Sequence, residues 1–289
     1  MSPQGAGPVA IVTDSTAYLP DELIRRYGIR VVPIHVVIGG ESGDEGLDVK
    51  PLDVARALRD RRTDVTTSRA TPEDFVRTYR DLLDGGAAAV VSTHMSGKLS
   101  GTVEAAELAA AEFGDRVVVV DSASAGMGLG FPVLVGAQAA AAGASAVEVR
   151  EAVERAIART LIYFYVDTLE FLRRGGRIGA AGALLGTALA VKPILHVVDG
   201  RVVLKEKVRT ASRALARLEE LVLAAAADGE VDVAVHHLDC PERAHALAAR
   251  LRERLPALRN LYTSEVGAAV GAHVGPGVIA AVVYRREPA

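Results

Sequence analysis

Residues able to do chemistry cluster where apolar runs of this chain end. Leu99-Ser100-Gly101-Thr102 follows one such run. A hydroxyl at a helix N-terminus, followed by glycine, presents free backbone N–H groups and the positive end of the dipole. Glycine lets an anion approach closely, and phosphates and carboxylates bind such ends. A plain helix cap by Ser100 explains the same residues and is the commoner outcome for this feature alone. Thr66-Thr67-Ser68 sets three hydroxyls in a row, enough to line a polar pocket or to make an ordinary loop. His273 precedes the tight corner Gly275-Pro276-Gly277. A lone histidine usually bonds backbone; beside Ser and Thr hydroxyls it can orient them and donate to a carboxylate. Arg173-Arg174-Gly175-Gly176-Arg177 gathers three cations at a helix end, either to complement the dipole or to offer forked donors to an anion.

Several templates fail. Gly97-Lys98 is followed by Leu99, so no phosphate-binding P-loop forms. Gly126-Met127-Gly128-Leu129-Gly130 brings its third glycine too early for a dinucleotide fingerprint. No G-x-S-x-G elbow and no H-E-x-x-H motif occurs. His236 and His237 lie in a strand pattern, where adjacent rings face opposite sides and make poor joint metal ligands.

The elements that must position these residues alternate in the first half. Val9–Val12 reads as a strand feeding Thr13–Thr16, and Asp21–Tyr27 as a short helix closed by Gly28. Ile29–Ile38 reads as a second strand, and Gly39–Gly46 as a turn or loop. Thr71-Pro72-Glu73-Asp74 starts a helix, as does Ser145 with Glu148. Ala87–Val91 and Arg116–Val120 are further strands. This alternation predicts a parallel sheet with helices on both faces. Ligands bind at the carboxyl ends of such strands, which makes Asp14, Ser15 and Ser122 candidate pocket residues, with Gly275 of the later corner. The second half reads differently. It has a strand at Leu161–Val166, a short helix at Leu169–Arg174, and a helical stretch over Ile178–Ala190. A β-hairpin follows, turning at Asp199-Gly200, then a long helix near Ala211–Ala227 and strands at Val231–His236 and Val278–Tyr284. The expected organisation is an α/β chain with an N-terminal parallel-sheet domain, residues 1–159. A C-terminal α/β domain with the hairpin spans 160–289.

Composition narrows the function. The 289 residues are 50% hydrophobic, enough for a sizeable core, and the formal charge of -3 collects no nucleic acid. One cysteine, Cys240, allows no intrachain disulfide and fits a reducing compartment. The N-terminus lacks the charge and apolar run of a signal peptide, and charges or glycines interrupt every apolar stretch short of a membrane span. The expected location is the cytoplasm.

Seven short motifs, taken in order and spacing, resemble the DegV family over nearly the whole chain. They are Val12-Thr13-Asp14-Ser15-Thr16, Thr67-Ser68, Leu99-Ser100-Gly101-Thr102, Asp121-Ser122, Leu172 through Gly175-Gly176-Arg177, Lys192-Pro193-Ile194-Leu195 and His273-Val274-Gly275-Pro276-Gly277. The resemblance implies two α/β domains with a long-chain fatty acid in a tunnel between them. It implies that Thr67, Ser100, Gly101 and His273 hold the carboxylate, with Ser68 and Thr102 beside them. It also implies a binding protein without catalytic residues, metal or cofactor. A separate fatty acid kinase would phosphorylate the presented carboxylate, and Arg177 and Arg209 would lie near the kinase or phosphate contact. Arg69-Ala70 stand where the family commonly has Gln-Pro, and Ala190-Val191 where it often has Asn. Two other readings compete: an enzyme acting on a small anion with Ser100 as nucleophile and His273 as base, and a regulatory ligand sensor that contacts another protein.

Overall fold

The computed structural model describes residues 7–60, 62–184, 191–226 and 229–287. The first elements are β1 (Val9–Asp14), α1 (Asp21–Tyr27), β2 (Arg30–Val32), β3 (His35–Ile38), β4 (Glu41–Asp44), α2 (Pro51–Arg59) and β5 (Val65–Ser68). Next come α3 (Pro72–Asp84), β6 (Ala89–His94), α4 (Thr102–Ala110), β7 (Val117–Asp121), α5 (Met127–Ala141) and α6 (Ala146–Ala158). Then follow β8 (Thr160–Tyr165), α7 (Glu170–Arg174), β9 (Lys192–Val198), β10 (Arg201–Val208) and α8 (Ala211–Ala226). The chain closes with β11 (Val231–His237), α9 (Pro241–Arg254), β12 (Leu258–Glu265), α10 (Ala268–Val274) and β13 (Ile279–Arg285).

Two compact units result. The first joins Met1–Ile34 to Ser68–Ala158, and the second joins His35–Thr67 to Arg159–Ala289. The first unit holds the parallel sheet β2-β1-β6-β7. Phe75, Tyr79 and Leu83 of α3 and Ala105, Ala106 and Ala109 of α4 close one core over Val12, Val90 and Val117. Helices α5 and α6 pack together and against β1, β6 and β7. The α3 start is a reciprocal cap: Asp74 N–H donates to Thr71 Oγ1 at 3.3 Å, and Thr71 N–H to Asp74 Oδ2 at 2.9 Å. Ser145 and Glu148 form the same box before α6. Strand order reverses between β1 and β6, whose carboxyl ends are Asp14 and His94; crevices for ligands open at such reversals.

The second unit is built on the sheet β10-β9-β8-β13-β11-β12, antiparallel except between β11 and β12. Leu218 and Val222 of α8 and Leu247 and Leu251 of α9 bury Val233, Val235, Ala281 and Val283. The hairpin turns at Asp199-Gly200, with φ of 47° and 75°, as a two-residue turn between right-twisted strands requires. A three-stranded sheet, β4-β3-β5, belongs to this unit, except that Ser68 falls in the first. Helix α2 packs on α10, and the Glu45 carboxylate accepts from Ala269 N–H at 2.8 Å.

Four readings of the sequence change. Ile29–Ile38 splits at Pro33, which lacks an N–H, into β2 and β3 of two different sheets. Glu41–Asp44, read as a turn, pairs with β3. Residues 35–67, placed with the N-terminal half, pack in the second unit, although that unit resumes at Arg159, beside the expected boundary. Over Ile178–Ala190 the described part is a 3-10 turn, Gly179–Leu184, and 185–190 lie outside the described residues.

Candidate functional site

Thr67 and His273, 206 positions apart, meet in the second unit. Thr67 Oγ1 lies 2.8 Å from His273 Nε2. Strand β5 aims Thr67 inward while Thr66 and Ser68 stay exposed, the period of two that a strand imposes. His273 sits in the last turn of α10. Gly275 ends that helix at φ 76°, and a Cβ there would overlap the Phe171 ring of α7. Gly175 lies directly against the His273 ring, and a side chain in its place would strike Nδ1. The glycines thus let α7 and α10 close on the imidazole. Burial, with Arg177 nearby, pushes the His273 pKa down to about 4, so the ring is neutral at neutral pH. Its Nδ1 is buried and has no hydrogen-bond partner among the described residues.

One carboxylate, Glu170, ties down two of the three cations in the Arg cluster. Glu170 takes Arg173 at 2.6 and 2.9 Å and Arg174 at 2.9 Å, which holds its carboxyl at about pKa 2. Arg177 donates to the Gly175 carbonyl. Arg209 lies elsewhere in the unit, beside a cavity of about 460 Å³ lined also by Lys207, Arg213, Arg217 and Glu220. Arg217 is tied to Glu206 and Glu220, whereas among the described residues Lys207, Arg209 and Arg213 form no ion pair.

In the first unit, Ser100, Gly101 and Thr102 open α4. Ser100 Oγ is 2.8 Å from the buried Thr102 Oγ1. The first-turn N–H groups of a helix have no acceptor within it, so this end is rich in donors. Arg69 crosses the same turn: Nη1 reaches Glu104 Oε2 at 2.6 Å, and a Cβ on Gly101 would overlap the guanidinium. Ala70, the other departure from the family pattern, is fully buried in the core.

The remaining candidates serve the backbone. Ser15 Oγ accepts from Ile34 N–H at 3.0 Å. Ser122 Oγ accepts from Ser124 N–H at 3.2 Å. Asp14 is wholly buried and accepts from Thr16 N–H at 3.0 Å and Met95 N–H at 2.9 Å. Its partner His94, at 3.1 Å, escaped the reading of the sequence. The available signal was the polar triplet Ser92-Thr93-His94 ending an apolar strand. Among the described residues, no group of three or more His, Cys, Asp or Glu side chains could hold a metal ion, and no helix is long and apolar enough to cross a membrane.

A model of the DegV family, whose description calls it uncharacterised, matches residues 8–286, and the chain belongs to that family. A DegV domain-containing protein of Streptomyces coelicolor is 53% identical over 278 residues, covering 96% of this chain and 99% of its own. A Thermus thermophilus structure described as the fatty acid binding of a DegV family protein is 37% identical with a TM-score of 0.91. That match covers 96% of this chain and 100% of the other. The structure of Bacillus subtilis DegV, described as a fatty acid binding protein, is 31% identical with a TM-score of 0.88, over 97% and 100%.

Proposed function

We propose that this protein binds one long-chain fatty acid and holds its carboxylate with neutral donors. The observation that carries the reading is the Thr67–His273 hydrogen bond. It joins two residues that the sequence motifs pair in one role, on a ring kept neutral by burial. With its proton on Nε2, His273 donates to Thr67 Oγ1, and the threonine hydroxyl is released to donate onward to a carboxylate oxygen. Ser100, Gly101 and Thr102 supply further hydroxyl and amide donors, whereas Ser68 lies on the opposite, exposed face of β5. A buried carboxylate without such donors would take up a proton instead. Burial of the acyl methylenes contributes roughly 0.8 kcal/mol each, so the chain supplies affinity and the head group supplies orientation. Fatty acid binding by family members of the same fold supports the ligand class.

The protein acts in this reading as a cytoplasmic carrier without catalytic residues or cofactor. A separate fatty acid kinase phosphorylates the carboxylate it presents. Neutral donors suit this role because a tight guanidinium clamp would occupy the oxygen to be phosphorylated. Arg209 and the nearby Lys207, which form no ion pair among the described residues, support a contact with an anionic surface or phosphate, and Arg177 is the second candidate for it.

The test is native mass spectrometry of the freshly purified chain, with extraction and mass analysis of the released lipid. One fatty acid per chain is expected, and a smaller retained fraction in Thr67→Val at the same stringency. An empty protein that also fails to take up added fatty acid overturns the reading.

A further inference from the structure

The first unit contains a polar chain that packing alone does not require. Tyr79 O–H donates to Ser92 Oγ at 2.9 Å, Ser92 Oγ lies 2.7 Å from His94 Nε2, and His94 Nδ1 lies 3.1 Å from Asp14 Oδ2. All four side chains are 0% exposed. Ser92 accepts from Tyr79 and has its own proton to give to Nε2. In that arrangement Nδ1 carries the ring proton and donates to Asp14. The Phe75 ring stands edge-on to His94 at 4.9 Å and fixes its plane.

A buried ion is weak evidence for stability, since apolar residues of the same volume often serve as well. The bonds of Asp14 show what else it does. Oδ1 accepts from Thr16 N–H and, at 2.5 Å, from Thr16 Oγ1; Oδ2 accepts from Met95 N–H. These groups begin the segments that leave β1 and β6 at the point of strand reversal. Met95 leads into Ser96, whose carbonyl accepts from Leu99 N–H at 2.9 Å and Ser100 N–H at 3.0 Å. Ser96 N–H is in turn held by the Ser124 carbonyl at 2.8 Å.

We infer that Asp14, locked by His94, Ser92 and Tyr79, is a positioning residue: it fixes the 95–101 turn and so aims the Ser100 hydroxyl and Gly101 amide at a bound carboxylate. This rests on the head-group role proposed for Ser100. The sealed Ser92-His94-Asp14 series is a strut rather than a nucleophile, because no part of it meets solvent.

The test is a pair of double-mutant cycles on the full chain, read as palmitate affinity. Asp14→Asn is expected to weaken binding about tenfold, both alone and in a Thr67→Ala background. In a Ser100→Ala background it should cost less than about twofold, because the group it aims is gone. A merely structural defect would cost the same in both backgrounds, and that result overturns the inference, as does an Asp14→Asn protein of unchanged affinity. Tyr79→Phe leaves no buried charge unpaired and serves if Asp14→Asn fails to fold. It is expected to give a smaller loss that again vanishes with Ser100→Ala, and a loss that persists there overturns the inference equally. A Ser100→Ala protein of wild-type affinity would instead overturn the head-group role itself and this inference with it.

Discussion

A carboxylate taken out of water needs donors at both oxygens, and a threonine can give its proton away only if something else satisfies its oxygen. With its proton on Nε2, His273 does this for Thr67 while staying neutral, because burial holds its pKa near 4. Thr67→Val is expected to weaken fatty acid binding about tenfold, the worth of one hydrogen bond to a charged group, in a titration with palmitate. His273→Gln, which can still donate to Thr67, should recover part of the loss seen in His273→Leu. Equal loss in the two would show that the ring acts by shape alone. His236 tests the same physics away from the site. Its pKa is also lowered to about 4, first by burial and then by His237, while Nδ1 lies 2.9 Å from Ser264 Oγ. The unfolded chain takes up this proton near pH 6.5 and the folded chain only near 4. Stability therefore falls as pH drops across that window, by on the order of 3 kcal/mol for a wholly buried group. Urea unfolding at pH 7 and pH 4.5 should show a smaller acid loss in His236→Gln than in the parent, and an equal loss would refute the assignment.

Local chemistry written into consecutive residues was legible, and partnerships across the chain were not. The capping boxes at Thr71 and Ser145, the Gly28 stop of α1 and the Asp199-Gly200 hairpin appear where their residue types demand. Gly200→Val must hold a branched side chain at φ 75°, and it is expected to cost more than about 1 kcal/mol in urea unfolding. Strand β12 escaped notice because Leu258–Glu265 lies at a sheet edge and alternates poorly between apolar and polar. Helix α10 escaped because seven residues that include Gly271 look like part of the glycine corner that follows them. Its importance lies in what it carries, His273, whose role the motif resemblance named but no local pattern could place. The Asp14–His94 contact spans 80 positions and could be found only once β1 and β6 were known to be neighbours.

At the scale of the whole molecule, the second unit borrows α2 and β5 from the first third of the chain. Val54 and Ala55 of α2 are completely buried, and α2 packs on the helix that bears His273. A fragment of residues 160–289 therefore keeps the large sheet but loses the support of α10 and the partner of His273. Hydrogen exchange should find the α10 amides protected in the full chain and open in the fragment. Protection in the fragment would mean that α7 and Leu238 hold α10 without α2.

The same interleaving has a consequence for biosynthesis. Residues 35–67 leave the ribosome long before Arg159 and the sheet they join, with residues 68–158 made in between. At roughly 5–20 residues per second, that interval is many seconds. Throughout it, Val36 and Val54, both fully buried in the finished protein, have no core to enter. The nascent chain must tolerate this waiting loop of apolar surface, and anything that shields it, or quickens elongation through residues 68–158, would set how much of the protein reaches its final fold.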